Sequence, residues 1–377
     1  MGGEPEVIVA KTIDAVPAGA YDDLAAHCGA SAYYDRRFLR AAERHPLLPI
    51  ESLHYLLVRD GDRLDAFMPV YCHAVSTADP LGLLSRTASA GFHSSESALF
   101  SHVMHCCDTR LLLRDNAPAL FAMLMDRLER LARDSGVPQF AIANVADPAL
   151  LAMAEARGME INYSVDRYQM DLAGIDCVED LITRHIPADG RQEIRRQRRK
   201  LAEYGVRVEI EAPPFARIEE AGRLCHETTA RRGTPGYLPA DALARFLTEC
   251  GSLLRIVSIY HGDRRIGVSA LLLDRPTVHL WLAGMDYALD TFSPYTVTFD
   301  TLFHFAFEHG FTRIECGRLN ERTKQRFGFT PRPLHAIVQR VEARPGRDAK
   351  GAPSPAGSPR HDQTPICPNP PPERTGP

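Results

Sequence analysis

A segment that recurs in order within one chain restricts its fold more than composition does, and this chain carries such an echo. Residues 54–74, HYLLVRDGDRLDAFMPVYCHA, return as residues 255–274, RIVSIYHGDRRIGVSALLLD, with a Gly-Asp-Arg turn at Gly61 and again at Gly262. Alternating apolar stretches on either side of a tight glycine turn predict a β-hairpin in each copy. Downstream the order repeats. A helical run over 119–134 passes through Gly136 into a strand over 139–144, as a helical run over 298–309 passes through Gly310 into a strand over 312–316. A short helix then closes on Gly158-Met159 in the first copy and on Gly328-Phe329 in the second. Two copies of hairpin, helix, strand and helix predict two similar α/β (α+β) halves, each a mixed central sheet flanked by helices.

The 377 residues, 45% hydrophobic and 24% charged, suffice for two ordinary cores, since single domains usually run to about 100–200 residues. The expected domains are 1–165 and 166–342. From Ala343 onward the chain is rich in Pro, Gly, Ser and charge with little to bury, which predicts a disordered tail over 343–377. A net charge of −4 gives no global attraction to nucleic acid or to an anionic membrane. No apolar run approaches the roughly 20 residues of a spanning helix, and the start, MGGEPEVIVAK, lacks a secretory pattern. A cytoplasmic protein is expected. The nine cysteines include no C-x-x-C pair, so they read as reduced thiols. The cluster of His102, His105 and Cys106 finds no complementary ligand spacing elsewhere, and no metal is expected.

Against this mildly acidic background one helix stands out. Residues 190–204, GRQEIRRQRRKLAEY, end at Gly205 in the manner of a C′ glycine. From Arg184 to Arg207 eight basic residues face Asp189, Glu193 and Glu203, a local balance of +5. Arg195, Arg198 and Arg199 belong to this cluster, which suits a polyanion such as RNA phosphate or the phosphates of a nucleotide-bearing substrate. The other dense polar region is 279–331. There a strand over 278–282 followed by Gly284, an aromatic-rich helix after Pro294 and a strand over 312–316 form a β-α-β unit. Strands so joined run parallel, and polar residues at their carboxyl ends face one crevice. These are Asp286, Tyr287 and Tyr295 after the first strand, and Glu315, Arg318, Asn320, Glu321 and Lys324 at the second.

The doubled pattern, the R-x-x-x-R-R-x-R-R-K helix between the halves and the closing K-x-R-F-G-F resemble the tandem GNAT-fold acyltransferases, above all the Fem-type aminoacyltransferases and related peptidoglycan-biosynthesis N-acyltransferases. Gly236-Tyr237-Leu238, Trp281 with Gly284, Glu315 with Gly317, Glu321, Lys324 and Gly328-Phe329 stand at that family's motif positions. The resemblance is strongest over 190–338. It implies two GNAT-like domains in tandem and transfer of an acyl or aminoacyl group to a small-molecule amine acceptor, forming an amide. Ordinary GNAT acetyltransferases hold coenzyme A pyrophosphate on a Q/R-x-x-G-x-G/A loop at a helix N-terminus, whereas the corresponding ALDTFSPYTV has no glycine. Fem-type proteins also depart from that loop and use aminoacyl-tRNA. The co-substrate is therefore expected to be an aminoacyl-tRNA, presenting its acceptor end, in preference to acyl-CoA, with no tightly bound cofactor.

Amide formation needs a neutral amine, stabilisation of the oxyanion and a route for the proton. The expected catalytic residues are Glu315 or Asp286 as proton acceptor and Tyr295 as donor to the oxyanion or leaving oxygen. Lys324, Arg326, Arg318 and Trp281 are expected to hold the donor together with Arg195, Arg198 and Arg199. In the first half, GFHSSE over 91–96 offers His93 and Ser95, which with Tyr237 are expected to contact the acceptor. No G-x-S-x-G elbow surrounds Ser95, so a covalent mechanism is disfavoured. The alternative reading is a GNAT scaffold that binds RNA or a precursor without turnover.

Overall fold

The computed structural model of the chain describes residues 5–84, 93, 95–101, 105–115, 117–288 and 293–341. The expected tail, His102 and the loop 289–292 lie outside them.

The first half runs β1 (Glu6–Ala10), α1 (Ala18–His27), α2 (Arg36–Arg44), β2 (Ser52–Asp60), β3 (Arg63–Ala74), the single turn α3 (Val75–Ala78), β4 (Ser97–Phe100), β5 (Leu112–Leu113), α4 (Ala117–Asp134), β6 (Gln139–Val145), α5 (Pro148–Ala156) and β7 (Glu160–Asp171). The second runs α6 (Val178–Asp180), α7 (Ala188–Glu203), β8 (Val206–Glu211), α8 (Ile218–Arg231), α9 (Ala240–Cys250), β9 (Leu254–His261), β10 (Arg264–Asp274), β11 (Thr277–Met285), α10 (Pro294–Glu308), β12 (Arg313–Arg318), α11 (Glu321–Arg326) and β13 (Thr330–Arg340). Both expected hairpins form: β2 pairs antiparallel with β3, and β9 with β10. Their turns need a left-handed residue, and Gly61 and Gly262 supply it at φ of 60° and 58°.

All strands join one sheet in the order β1-β2-β3-β4-β6-β13-β7-β12-β11-β10-β9-β8, with β5 on β3. Each half gives its last strand to the other. β13 pairs with β6 of the first half, β7 pairs with β12 of the second, and β7 and β13 pair antiparallel with one another at the centre. The expected border at 165/166 therefore falls inside β7. The described residues form one compact unit, so the repeats share a sheet.

Strand alternation sends successive side chains to opposite faces, and the helices cover both. On one face a single core draws on both halves: Tyr21 and Phe38 from α1 and α2, Phe246 and Leu247 from α9, Leu224 from α8, and Tyr55, Phe67, Ile256 and Ala270 from the strands. Phe38 meets Phe246 and Trp281 edge-on, at ring-centroid distances of 5.1 Å and 5.3 Å. On the other face α4 packs over the first half through Leu124 and Leu128, and α10 over the second through Phe299 and Phe303. The i, i+4, i+8 spacing of Phe299, Phe303 and Phe307 on α10 thus builds core.

The strand expected over 278–282 runs further, since Gly284 lies inside β11. A Cβ there would stand 2.4 Å from the Cys225 backbone nitrogen on α8, so the missing side chain lets strand and helix touch. Gly284→Ala should lower unfolding stability by about 1–3 kcal/mol, the usual cost of overpacking, read as a lower denaturant midpoint with an unchanged slope.

Candidate functional site

The parallel pair β11–β12 holds register only over Thr277–His279 and Arg313–Glu315, while both strands run on. The pair β4–β6 in the first half is likewise parallel over only Leu99–Phe100 and Phe140–Ala141. A cavity of about 280 Å³ opens beside these short pairings. Leu280–Ala283 and Met285 of β11 and Cys316 and Arg318 of β12 line it, and Phe100, Ala143 and Asn144 from the first half complete it.

Six non-glycine residues have positive φ among those described, and four of them, His105, Asn144, Leu319 and Asn320, line this cavity. A fifth, Leu238, follows the lining residue Tyr237. Such conformations cost about 1–3 kcal/mol each and persist where the surroundings over-determine them, which is common at functional sites. The left-handed run Gly317, Leu319 and Asn320 reverses the chain after β12. α11 is thereby turned back so that the Lys324 ammonium reaches the carbonyls it has just left, at 2.9 Å from Gly317 O and 2.7 Å from Arg318 O. The ammonium lies over the Tyr168 ring, 5.2 Å from its centroid, and the side chain is buried. Burial pulls its pKa below the ordinary lysine value.

Tyr295, in the first turn of α10, lines the same cavity. Burial is the main reason its hydroxyl pKa is pushed up to about 12, so it is a proton donor at neutral pH. Asn320, which also accepts from Arg232 Nη1 at 2.8 Å, hydrogen-bonds the Tyr295 hydroxyl. Tyr237 is half-buried with its hydroxyl on His105 Nδ1, and Trp281 Nε1 donates to the His105 carbonyl at 3.3 Å. Arg318 Nη1 donates to Asn144 Oδ1 at 3.0 Å and so ties the end of β12 to the end of β6.

Five expected site residues thus meet at one cavity: Tyr295, Lys324, Arg318, Trp281 and Tyr237. The others lie elsewhere. Glu315 is buried beneath the cavity, with Oε1 on Gly317 N at 2.9 Å and Oε2 on Gln169 Nε2 at 2.7 Å. Burial raises its pKa although Arg167 stands 3.7 Å away. Both oxygens are engaged, one by the end of β12 and one by β7. Asp286 is drawn out to Arg264 and does not line the cavity. Arg326 pairs with Asp189 and Glu193, and Arg198 with Asp300 and Glu179. Arg195 and Arg199 are exposed on α7, and His93 and Ser95 are exposed outside the cavity lining. His105, Asn144 and Arg232 were missed as site residues. Only the nearness of Arg232 to Gly236-Tyr237-Leu238 in sequence could have pointed to one of them. Among the described residues no group of His, Cys, Asp and Glu could hold a metal, and no helix is long and apolar enough to cross a membrane.

Residues 188–325 match the acetyltransferase (GNAT) domain family. The whole fold superposes on a tandem GNAT protein from the clavulanic acid biosynthesis pathway, with a TM-score of 0.54 at 12% identity, covering 90% of this chain and 100% of that one. The chain has a tandem GNAT-like fold. FemX is similar to this chain with a TM-score of 0.56 at 9% identity, covering 84% of this chain and 95% of FemX. So is the C-terminal domain of a putative lysylphosphatidylglycerol synthetase from Agrobacterium fabrum, with a TM-score of 0.53 at 12% identity over 85% and 92% of the two chains. No curated protein matches this chain. Its cavity lies where the parallel strands of the GNAT-matched half diverge.

Proposed function

We propose that this protein forms an amide by transferring an aminoacyl or acyl group from an activated ester or thioester to a small amine bound in the cavity. The observation that carries this reading is the meeting of the buried Lys324 ammonium and the protonated Tyr295 hydroxyl at the divergence of β11 and β12. In the reaction the amine nitrogen bonds to the donor carbonyl carbon. The carbonyl oxygen takes up negative charge, the bond to the leaving oxygen or sulfur breaks, and the amine proton passes to that leaving atom. Lys324, held by two carbonyls, is a fixed positive charge for the oxyanion that needs no reorganisation. Tyr295 relays the proton to the leaving atom. Glu315, with both oxygens bonded, holds the strand that presents Gly317 and Arg318.

An aminoacyl-tRNA donor is favoured over acyl-CoA by the start of α10. Pro294 has no N–H, Thr296 N donates to Ser293 Oγ at 3.3 Å, and Ser293 N donates to Gln197 Oε1 of α7 at 2.9 Å. Few backbone donors remain there for a pyrophosphate. Through Gln197 the same contact sets α7 beside that end, and α7 exposes Arg195 and Arg199 with no described carboxylate partner. Changing both to Gln should reduce the slope of log K against log salt for bulk tRNA by about 1.5, at roughly 0.7–0.9 per phosphate contact. An unchanged slope removes α7 from the donor site.

Incubation with separately charged tRNAs and acyl-CoAs over an amine library, read by mass spectrometry, tests the reaction and donor class together. Amide products from charged tRNA support the proposal, and no product from any pairing overturns it. Tyr295→Phe should lower kcat by about 10²-fold with little change in KM, the pattern of a lost proton relay. An equal rise in KM with constant kcat would make Tyr295 a binding residue only.

A further inference from the structure

Charge is unevenly distributed around the cavity. Arg232, Arg318 and Lys324 line it, and Asp79 is the one acidic lining residue among those described. Asp79 is engaged by the backbone, accepting from Leu83 N at 2.6 Å and Leu84 N at 2.9 Å. The three cations have no carboxylate partner among the described residues. Arg232 donates to the Asn320 amide oxygen, Arg318 to the Asn144 amide oxygen, and Lys324 to two backbone carbonyls. A concave site with surplus positive charge and low-dielectric walls attracts an anion.

Two of these cations belong to the reacting end, since Arg232 and Lys324 stand with Asn320 and Tyr295. Arg318 faces the first half, bonded to Asn144, and its charge is felt by Tyr237 and His105. At this end His105 is 8% exposed, and its Nε2 has no hydrogen-bond partner among the described residues. Burial holds its pKa near about 3, so the ring is neutral at physiological pH. An orphaned buried ring nitrogen is uncommon in a native fold, and here it belongs to a residue that lines the cavity. Leu81, Leu84, Phe100 and Leu282 supply an apolar wall. The volume of about 280 Å³ is just under the range of about 300–1,000 Å³ typical for drug-sized ligands.

We infer that the acceptor is an amine that carries its own anionic group, of amino-acid size, bound with that group on Arg318 beside His105 and Tyr237 and with its amino group directed toward Tyr295 and Lys324. This rests on the transferase reading for the role of the bound molecule. Guanidinium pairs with carboxylate and phosphonate alike through a two-pronged contact, so both classes fit. The apolar wall takes the side chain.

The test is calorimetric binding to the full chain without any donor, so its outcome does not depend on turnover. The probes are leucine, leucinamide, 3-methylbutylamine, the aminophosphonate analogue of leucine, and adenosine 3′,5′-bisphosphate as a donor-like phosphate. Leucine or its phosphonate should bind at least about tenfold more tightly than leucinamide or the plain amine, as expected for one charge-assisted contact. Arg318→Gln should erase that preference, with its circular dichroism and melting temperature showing that it folds. Should Arg318→Gln fail to fold, competition on the wild-type chain decides: acetate or inorganic phosphate must displace leucine without weakening 3-methylbutylamine. Equal binding of leucine and leucinamide overturns the inference. So does binding in which only the bisphosphate depends on Arg318, since the anion site would then belong to the donor. Carboxylate preference without amide formation from any donor leaves the anion subsite at Arg318 standing and removes the transferase reading, and with it the bound molecule's role as acceptor.

Discussion

Lys324→Met lowers kcat by about 10²–10³-fold, the range seen when one preorganised oxyanion donor is removed, while acceptor affinity changes little. Methionine keeps an unbranched apolar stem over Tyr168 and deletes only the ammonium. The variant leaves the carbonyls of Gly317 and Arg318 without their donor, so it should also unfold more readily, by about 1–3 kcal/mol. The two effects separate in single-turnover kinetics measured well below the melting temperature. The pH profile gives an independent sign. The Lys324 pKa is lowered from 10.5 by burial, so as pH rises the ammonium loses its proton earlier than a free lysine would. The neutral amine then provides no charge for the oxyanion. Wild-type turnover should decline on the alkaline side beginning below 10.5, and the residual turnover of Lys324→Met should lack that limb. A variant with wild-type kcat and the same alkaline decline would remove Lys324 from the chemistry.

Separate expression of residues 1–172 and 173–342 should give two chains that do not fold alone. The first would leave β6 without β13, and the second would leave β12 without β7. Each fragment also loses its share of the core in which Phe38 meets Phe246 and Trp281. Exposed strand edges of this kind pair with other chains, so aggregation is expected from each fragment. Co-expression should recover a stoichiometric complex with a cooperative melt. A dispersed amide spectrum and cooperative unfolding from either fragment alone would contradict the exchange of end strands.

What the sequence disclosed, and what it hid, divides by distance along the chain. The hairpins at Gly61 and Gly262 and the parallel β11–β12 crossover were legible because turn chemistry and apolar period are local. The central pairing of β7 with β13 joins segments about 170 residues apart, Gln169 opposite Thr330, and no local pattern records it. The site was half legible for the same reason. Tyr295 and Lys324 follow adjacent strands of one β-α-β unit, so topology alone brings them together. Asn144 and His105 come from the other half and reach the cavity only once the shared sheet exists. Charge counting misled where partners are remote. Arg198 on the basic helix is taken up by Asp300, 102 residues on, at 2.8 Å, and Asp286 by Arg264. Among the described residues, charge without a carboxylate partner remains on Arg195 and Arg199 of that helix and, in the cavity, on Arg232, Arg318 and Lys324, of which Arg232 alone was not among the expected site residues.

The left-handed backbone at His105, Asn144, Leu319 and Asn320 has a practical corollary. Glycine would relax the peptide geometry at any of them, but at His105 and Asn144 it would also delete side chains bonded to Tyr237 and Arg318, so selection for heat tolerance would find a reward at exposed Leu319. The same relaxation would let the walls breathe, and a sturdier protein would grip its small guest less faithfully. Thermal hardening and molecular discrimination therefore pull this chain in opposite directions.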